Sequence, residues 1–206
     1  MLKIHPQDPE KRKIEQVVDQ LRAGKVIVCP TDSVYAYVCS SADPRAIEQL
    51  AKLKGTRPEK VDLSLICEDL TQASHYTRQL GTPVFRAMKR CLPGPFTFIL
   101  PASGEVPKLF KNKKRTVGIR IPDHAIPLAL VRGLGHPLVA SSVHGSDVFL
   151  EHTADPAEIE AEEGHRVDLV IDGGLCGLEG STVVDATGPG PVVVREGAGD
   201  AQLVDQ

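Results

Sequence analysis

Five stretches of the chain gather hydroxyl-bearing, cationic and glycine residues at short spacing: P-T-D-S-V-Y at 30–35, K-L-K-G-T-R-P at 52–58, T-V-G-I-R-I-P at 116–122, A-S-S-V-H-G-S at 140–146 and D-G-G-L-C-G-L-E-G-S-T at 172–182. Glycine N–H groups can cradle an anion, and a cation can neutralise one. Each cluster also has a plainer reading. Thr and Ser beside Asp are turn residues, and Lys52 and Lys54 at the close of a helix favour its dipole. The glycine run is neither a Walker A loop nor a G-x-G-x-x-G. Arg120 is the sharpest case, because it interrupts an apolar strand pattern. An arginine buried alone costs several kcal/mol, so Arg120 must meet a carboxylate, either internal or a ligand's.

Covalent catalysis finds no support in the residue pattern. There is no G-x-S-x-G elbow, and the seven histidines show no H-x-x-x-H spacing for a metal. The five cysteines (Cys29, Cys39, Cys67, Cys91, Cys176) contain no C-x-x-C pair and fall mostly in apolar runs. They read as reduced, buried thiols and point to a cytoplasmic protein with no tightly bound metal.

The elements that must position these clusters announce themselves locally. Asp8-Pro9, Asp43-Pro44 and Asp155-Pro156 each pair a capping carboxylate with a proline suited to a first helical turn. The first of these helices buries Ile14, Val17, Val18 and Leu21 and stops at Gly24, and the second carries Ile47, Leu50 and Ala51 and stops near Gly55. Further helices are expected over 83–91 and 125–132. Short β-branched runs predict strands at 25–29, 34–39, 63–67, 96–100, 117–121, 138–140, 168–171, 182–184 and 192–194. Several are apolar on both faces, as central strands under helices are. The order mixes βα units with adjacent strands, so the fold class is α/β with α+β layering: an open, twisted, mixed sheet with helices on its faces. Residues after Gly199 read as a loose tail.

At 206 residues the chain fits one domain, 1–206 with its core at about 10–200, and its 41% hydrophobic content excludes wholesale disorder. No apolar run is long enough to span a bilayer, and residues 1–13 are too polar for a signal peptide. The net charge of −3 conceals a split of +9 over residues 1–120 and −12 over 121–206. The densest basic run, Lys108, Lys111, Lys113, Lys114 and Arg115, fits either a solvated loop or contact with RNA phosphates.

Six pieces carry a resemblance in order: P-T-D-S-V-Y at 30–35, L-P-G-P-F-T-F-I-L at 92–100, V-G-I-R-I-P at 117–122, D-G-G at 172–174, S-T-V-V-D at 181–185 and V-V-R-E-G at 193–197. Together they resemble the YrdC/YciO family over about residues 10–200. The resemblance implies a YrdC-like fold with a positively charged cavity. For its synthase members it also implies a nucleotidyltransferase activity, in which threonine, bicarbonate and ATP with Mg²⁺ give threonylcarbamoyl-AMP and pyrophosphate for tRNA modification. Carried over by position, Thr31, Ser33 and Tyr35 would line the threonine pocket, and Arg120 and Ser181 would hold the amino acid. Lys54, Arg57, Thr116, Ser142 and Arg195 would face the nucleotide.

Two departures lean toward the YciO branch. The family's K-x-R is here Lys54-Gly55-Thr56-Arg57, one residue longer, with Asp62 in place of a proline. Its S-A-N is here Ser142-Val143-His144, which removes an amide able to donate and accept. Two other readings stand beside the synthase: an RNA-binding module for tRNA or double-stranded RNA without synthase activity, and a carbamoyl-adenylate transferase with another acyl partner.

Overall fold

The computed structural model describes residues 1–55, 63–107, 115–143 and 154–205. Along them run β1 (Leu2–Lys3), α1 (Lys11–Arg22), β2 (Ile27–Cys29), β3 (Ala36–Ser40), α2 (Pro44–Leu53), β4 (Ser64–Ile66), α3 (Leu70–Tyr76), α4 (Thr82–Cys91), β5 (Phe96–Pro101) and β6 (Thr116–Arg120). Then follow α5 (Ala125–Leu134), β7 (Leu138–Ser142), α6 (Pro156–Glu163), β8 (Leu169–Asp172), β9 (Thr182–Asp185), β10 (Val192–Arg195) and α7 (Gln202–Asp205). The strands form one open sheet in the order β1-β8-β2-β3-β7-β4-β6-β5-β9-β10. It mixes parallel pairs such as β4/β6 and β5/β9 with antiparallel pairs such as β3/β7 and β5/β6. This is the mixed α/β sheet that the sequence implies.

Two of the three Asp-Pro helix starts hold. Asp43 accepts from the N–H groups of Arg45 and Ala46, and Asp155 from that of Ala157. Asp8-Pro9 does not cap: Glu10 precedes α1, its carbonyl taking bonds from Lys13 and Ile14, while the Asp8 N–H donates to His5 Nδ1. The residues after Gly199 are not a loose tail. They form α7, whose Val204 is buried and whose Leu203 and Val204 carbonyls accept from the Arg90 guanidinium. The sequence reading also passed over α3, capped by Asp69 through the Gln72 N–H, and β1, which pairs in parallel with β8.

The sheet has two cores. On one face Val28, Tyr37, Val139, Leu65, Ile119, Phe98 and Val184 meet buried residues of α2, α3, α4, α6 and α7. On the other, Ile27, Val38, Ala140 and Ile171 meet Val17, Val18 and Leu21 of α1 and Ile126, Leu130 and Val131 of α5. Strands β2 and β3 are buried throughout because both cores claim them. Strand β5 alternates, with Phe96, Phe98 and Leu100 buried and Thr97, Ile99 and Pro101 only partly covered. The second core therefore ends near β4, and beyond it, among the described residues, no helix seals the same sheet face, which is left open there. No described helix is long and apolar enough to cross a membrane.

Candidate functional site

The open face is built from register. Phe98 pairs with Ile119, so Thr97 and Arg120, one step along, project to the other side of the sheet from that buried pair. Thr97 pairs with Val183 of β9, and Val183 with Arg195 of β10 across a bulge that re-aims the arginine. Arg120, Thr97, Val183 and Arg195 thus form one row across neighbouring strands spaced about 4.8 Å apart. Ser181, just before β9, shares the side of Val183. Its hydroxyl lies 2.7 Å from the Thr97 hydroxyl, and its carbonyl accepts from Arg195 at 3.1 Å. A second row, Ser64, Gly118, Ile99 and Asp185, lies beside the first. Thr116 of β6 and Ser142 of β7 continue the same face.

Arg120 is buried, and the carboxylate it required is internal. Its terminal nitrogen Nη2 donates to Asp32 Oδ1 at 2.9 Å and Ser33 Oγ at 2.9 Å, with Thr31 Oγ1 at 3.5 Å. Strand order puts β6 three strands from β3, so the 30–35 loop reaches across the sheet to make this contact. The other oxygen of Asp32 accepts from the Asp123 N–H at 2.9 Å. The ion-pair side chains are 8% and 7% exposed. Burial lowers the Arg120 pKa, the Asp32 carboxylate opposes that, and the like charge of Arg195 adds to the lowering. Among the described residues Arg120 Nε is buried with no hydrogen-bond partner.

Of the residues carried over from the resemblance, Thr31, Ser33, Arg120, Thr116, Ser142, Ser181 and Arg195 are placed on this face or on the loop that reaches it. Lys54 follows α2 and donates to the Ser142 carbonyl at 2.8 Å. Tyr35 stands apart: its ring lies in the core under the opposite face, and its hydroxyl donates to the Gly174 carbonyl and accepts from the Gly173 N–H. It clamps the D-G-G turn, where Gly174 has φ of 89°. Arg57, Asp62, His144 and the basic run at Lys108, Lys111, Lys113 and Lys114 lie outside the described residues. Arg115, the last of that run, is exposed just before β6.

Sequence reasoning passed over Thr97 and gave Asp32 no role. The alternation F-T-F-I-L placed Thr97 on the weakly covered side and could have flagged it. A reduced-thiol reading of the cysteines agrees with the structure. All five are free, and burial pushes Cys176 up to about 11 and Cys67 to about 12. Such thiols are poor nucleophiles. The face therefore offers two cations, several hydroxyls and a glycine floor, a set suited to orienting anions. A half-open hollow of about 200 Å³ lies elsewhere, between α3 and α4, lined by residues that include Leu70, Ala73, Phe85 and Met88.

Comparison with known proteins adds relatives to this geometry. The Sua5/YciO/YrdC family model, described as telomere recombination, matches residues 19–197. The uncharacterised protein YciO of Escherichia coli (strain K12) is 42% identical over 202 residues, 97% of this chain and 96% of its own. The crystal structure of E. coli YciO superposes with a TM-score of 0.90 at 40% identity, over 98% of each chain. A threonylcarbamoyl-AMP synthase of Halorhodospira halophila is 30% identical over 172 residues, 84% of this chain and 88% of its own. P. abyssi Sua5 complexed with L-threonine superposes with a TM-score of 0.85 at 27% identity, covering 95% of this chain and 57% of that one.

Proposed function

The chain belongs to the Sua5/YciO/YrdC family, and we propose on that premise that its open face binds L-threonine and ATP and, with bicarbonate, makes threonylcarbamoyl-AMP and pyrophosphate. The observation that carries this reading is the shared row: Arg120, the Thr97 and Ser181 hydroxyls and Arg195 share one stretch of sheet that no described helix seals. The threonine-bound Sua5 and the named synthase supply the ligand classes. Arg120 and Ser181 take the amino acid, with Thr31 and Ser33 beside them. Arg195, Lys54, Thr116 and Ser142 face the triphosphate and ribose.

The chemistry asks little covalent work of the protein. The threonine amine and bicarbonate condense to a carbamate with loss of water. One carbamate oxygen attacks the α-phosphorus, the bond to the β-phosphate oxygen breaks, and pyrophosphate leaves. What remains is to hold two anions together and offset their repulsion, which Arg120 and Arg195 do from about three strand spacings apart. Among the described residues no group of three or more His, Cys, Asp or Glu could hold a metal ion. Mg²⁺ would enter with the triphosphate, whose oxygens would supply ligands for it, and would offset part of its charge.

The test is pyrophosphate release on mixing protein, ATP, L-threonine and bicarbonate. Release that requires threonine supports synthesis. Calorimetric binding of ATP and threonine without release would keep the two ligands and remove the reaction. Release driven by carbamoyl phosphate instead would move the protein to another acyl partner.

A further inference from the structure

We infer that Asp32 is the positioning residue for the amino acid's carboxylate: it holds one end of the Arg120 guanidinium so that the Nε side stays turned toward an acceptor the ligand must bring. This deepens the proposed threonine site and rests on it. Three observations converge. Arg120 Nη2 is within reach of three oxygens, from Asp32, Ser33 and Thr31, so that nitrogen has no donor left for a ligand. The guanidinium is planar, so fixing one nitrogen fixes the orientation of the whole fork. Arg120 Nε is buried and without a partner among the described residues, a costly arrangement that a ligand oxygen would relieve.

Asp32 is suited to this by both of its oxygens. Oδ1 holds Arg120 while Oδ2 accepts from the Asp123 N–H in the corner between β6 and α5. Both partners are donors, so an asparagine cannot replace it. One of the two N–H groups would then face the amide's own N–H₂. The carboxylate is therefore fixed to the backbone just past the strand that carries Arg120 as well as to its side chain, and the arginine cannot swing without giving up its bonds to Asp32 and Ser33.

The experiment compares wild-type protein with Asp32→Asn by calorimetric titration with L-threonine, L-threoninamide and ATP, and by the ¹⁵N–¹H signal of Arg120 Nε, assigned from its loss in Arg120→Lys. The expected result is a weakening of threonine by about tenfold or more in D32N and loss of the ordered Nε signal. ATP affinity stays within about twofold, and threoninamide, which lacks the carboxylate, binds both proteins alike. An unchanged threonine affinity, an unchanged Nε signal, or threoninamide weakened as much as threonine would overturn the inference. The last of these would mean that the loop had merely collapsed. Wild-type protein that binds ATP but no threonine removes the proposed threonine site, and Asp32's role with it, before any variant is compared. If D32N does not fold, Asp32→Glu keeps the charge and both acceptors but moves them by a methylene. Weaker threonine in a folded D32E supports the role, and wild-type affinity rejects it.

Discussion

One sheet face carries two unlike halves. Over β8, β2, β3 and β7 it is sealed by α1 and α5 around Ile27, Val38, Ala140 and Ile171. Over β6, β5, β9 and β10 it presents Arg120, Thr97, Gly118 and Arg195 without such a seal among the described residues. The difference is written in the strands: A-Y-V-C-S of β3 is buried at every position, whereas F-T-F-I-L-P of β5 is buried at every second one. Covered sheet supplies rigidity, and half-covered sheet supplies a surface whose polar side chains are fixed by the apolar residues between them.

The largest effect is expected where the open half is most buried. Arg120→Ala strips Asp32 of its cation while leaving the carboxylate enclosed, and breaking a buried pair in this way costs about 3–5 kcal/mol. Urea denaturation should show that loss, and threonine-dependent pyrophosphate release should vanish. A loss of under about 1 kcal/mol would mean that Asp32 relaxes into solvent and that the open half is softer than its contacts imply. Gly133→Ala is the counterpart on the sealed half. A methyl there would stand 2.7 Å from Val18 Cγ2, in the close approach of α5 to α1. Overpacking of about 1–3 kcal/mol then opposes the ~1 kcal/mol that alanine returns in helix propensity. The expected outcome is a net loss of about 1 kcal/mol in the same denaturation, with ligand affinities unchanged.

The sealed half was the more legible from sequence, because its signals are local. Asp43-Pro44, the apolar spacing of α1 and the unbroken β2 and β3 runs each point to one structure. What failed there failed for non-local reasons. Asp8-Pro9 looked like a cap, but the helix starts after Glu10, whose carboxylate is held by the His5 N–H and Lys13. β1 exists only because β8 offers it an edge, and α7 only because Arg90 and the first core hold it. On the open half residue types were legible and partners were not. The sequence said that Arg120 needed a carboxylate but could not choose Asp32, which lies 88 positions away. Nor could it tell that the Tyr35 hydroxyl would be taken by the glycine turn, or that Thr97 would meet Ser181.

Gly118→Ala separates binding from folding on the open half. Its methyl would sit 3.2 Å from Ser64 Cβ and 3.3 Å from the Leu63 carbonyl oxygen, each tight by a few tenths of an ångström, and in ordinary contact with Thr97 Cγ2 at 3.4 Å, so it adds bulk to the floor of the face. Stability should change by less than about 1 kcal/mol, while calorimetry should find ATP or threonine weakened by about tenfold. Wild-type affinity in this variant would show that neither ligand lies against the β4/β6/β5 floor, and would shift the site toward the β9/β10 edge.

The smallest expected effect lies on the border between the halves. His124 caps α5, its Nδ1 accepting from the Ile126 N–H at 3.3 Å. Burial holds its pKa below the ordinary 6.5, with Asp32 and Asp123 pulling the other way. The unfolded chain therefore takes up the proton first. The stability that His124 contributes is complete above the ordinary value and falls as pH drops from there toward the folded-state value. His124→Asn keeps an acceptor at the cap and removes the titration. The stability difference between wild type and H124N should narrow or reverse across that window, read from urea midpoints at several pH values. A constant difference would show that the imidazole titrates alike in both states. Threonine affinity followed over the same window decides whether the border transmits. If it drifts in wild type but not in H124N, protonation at the α5 cap reaches Arg120 through Asp32 and Asp123. If both proteins drift together, the sealed half can loosen at its edge without moving the open one.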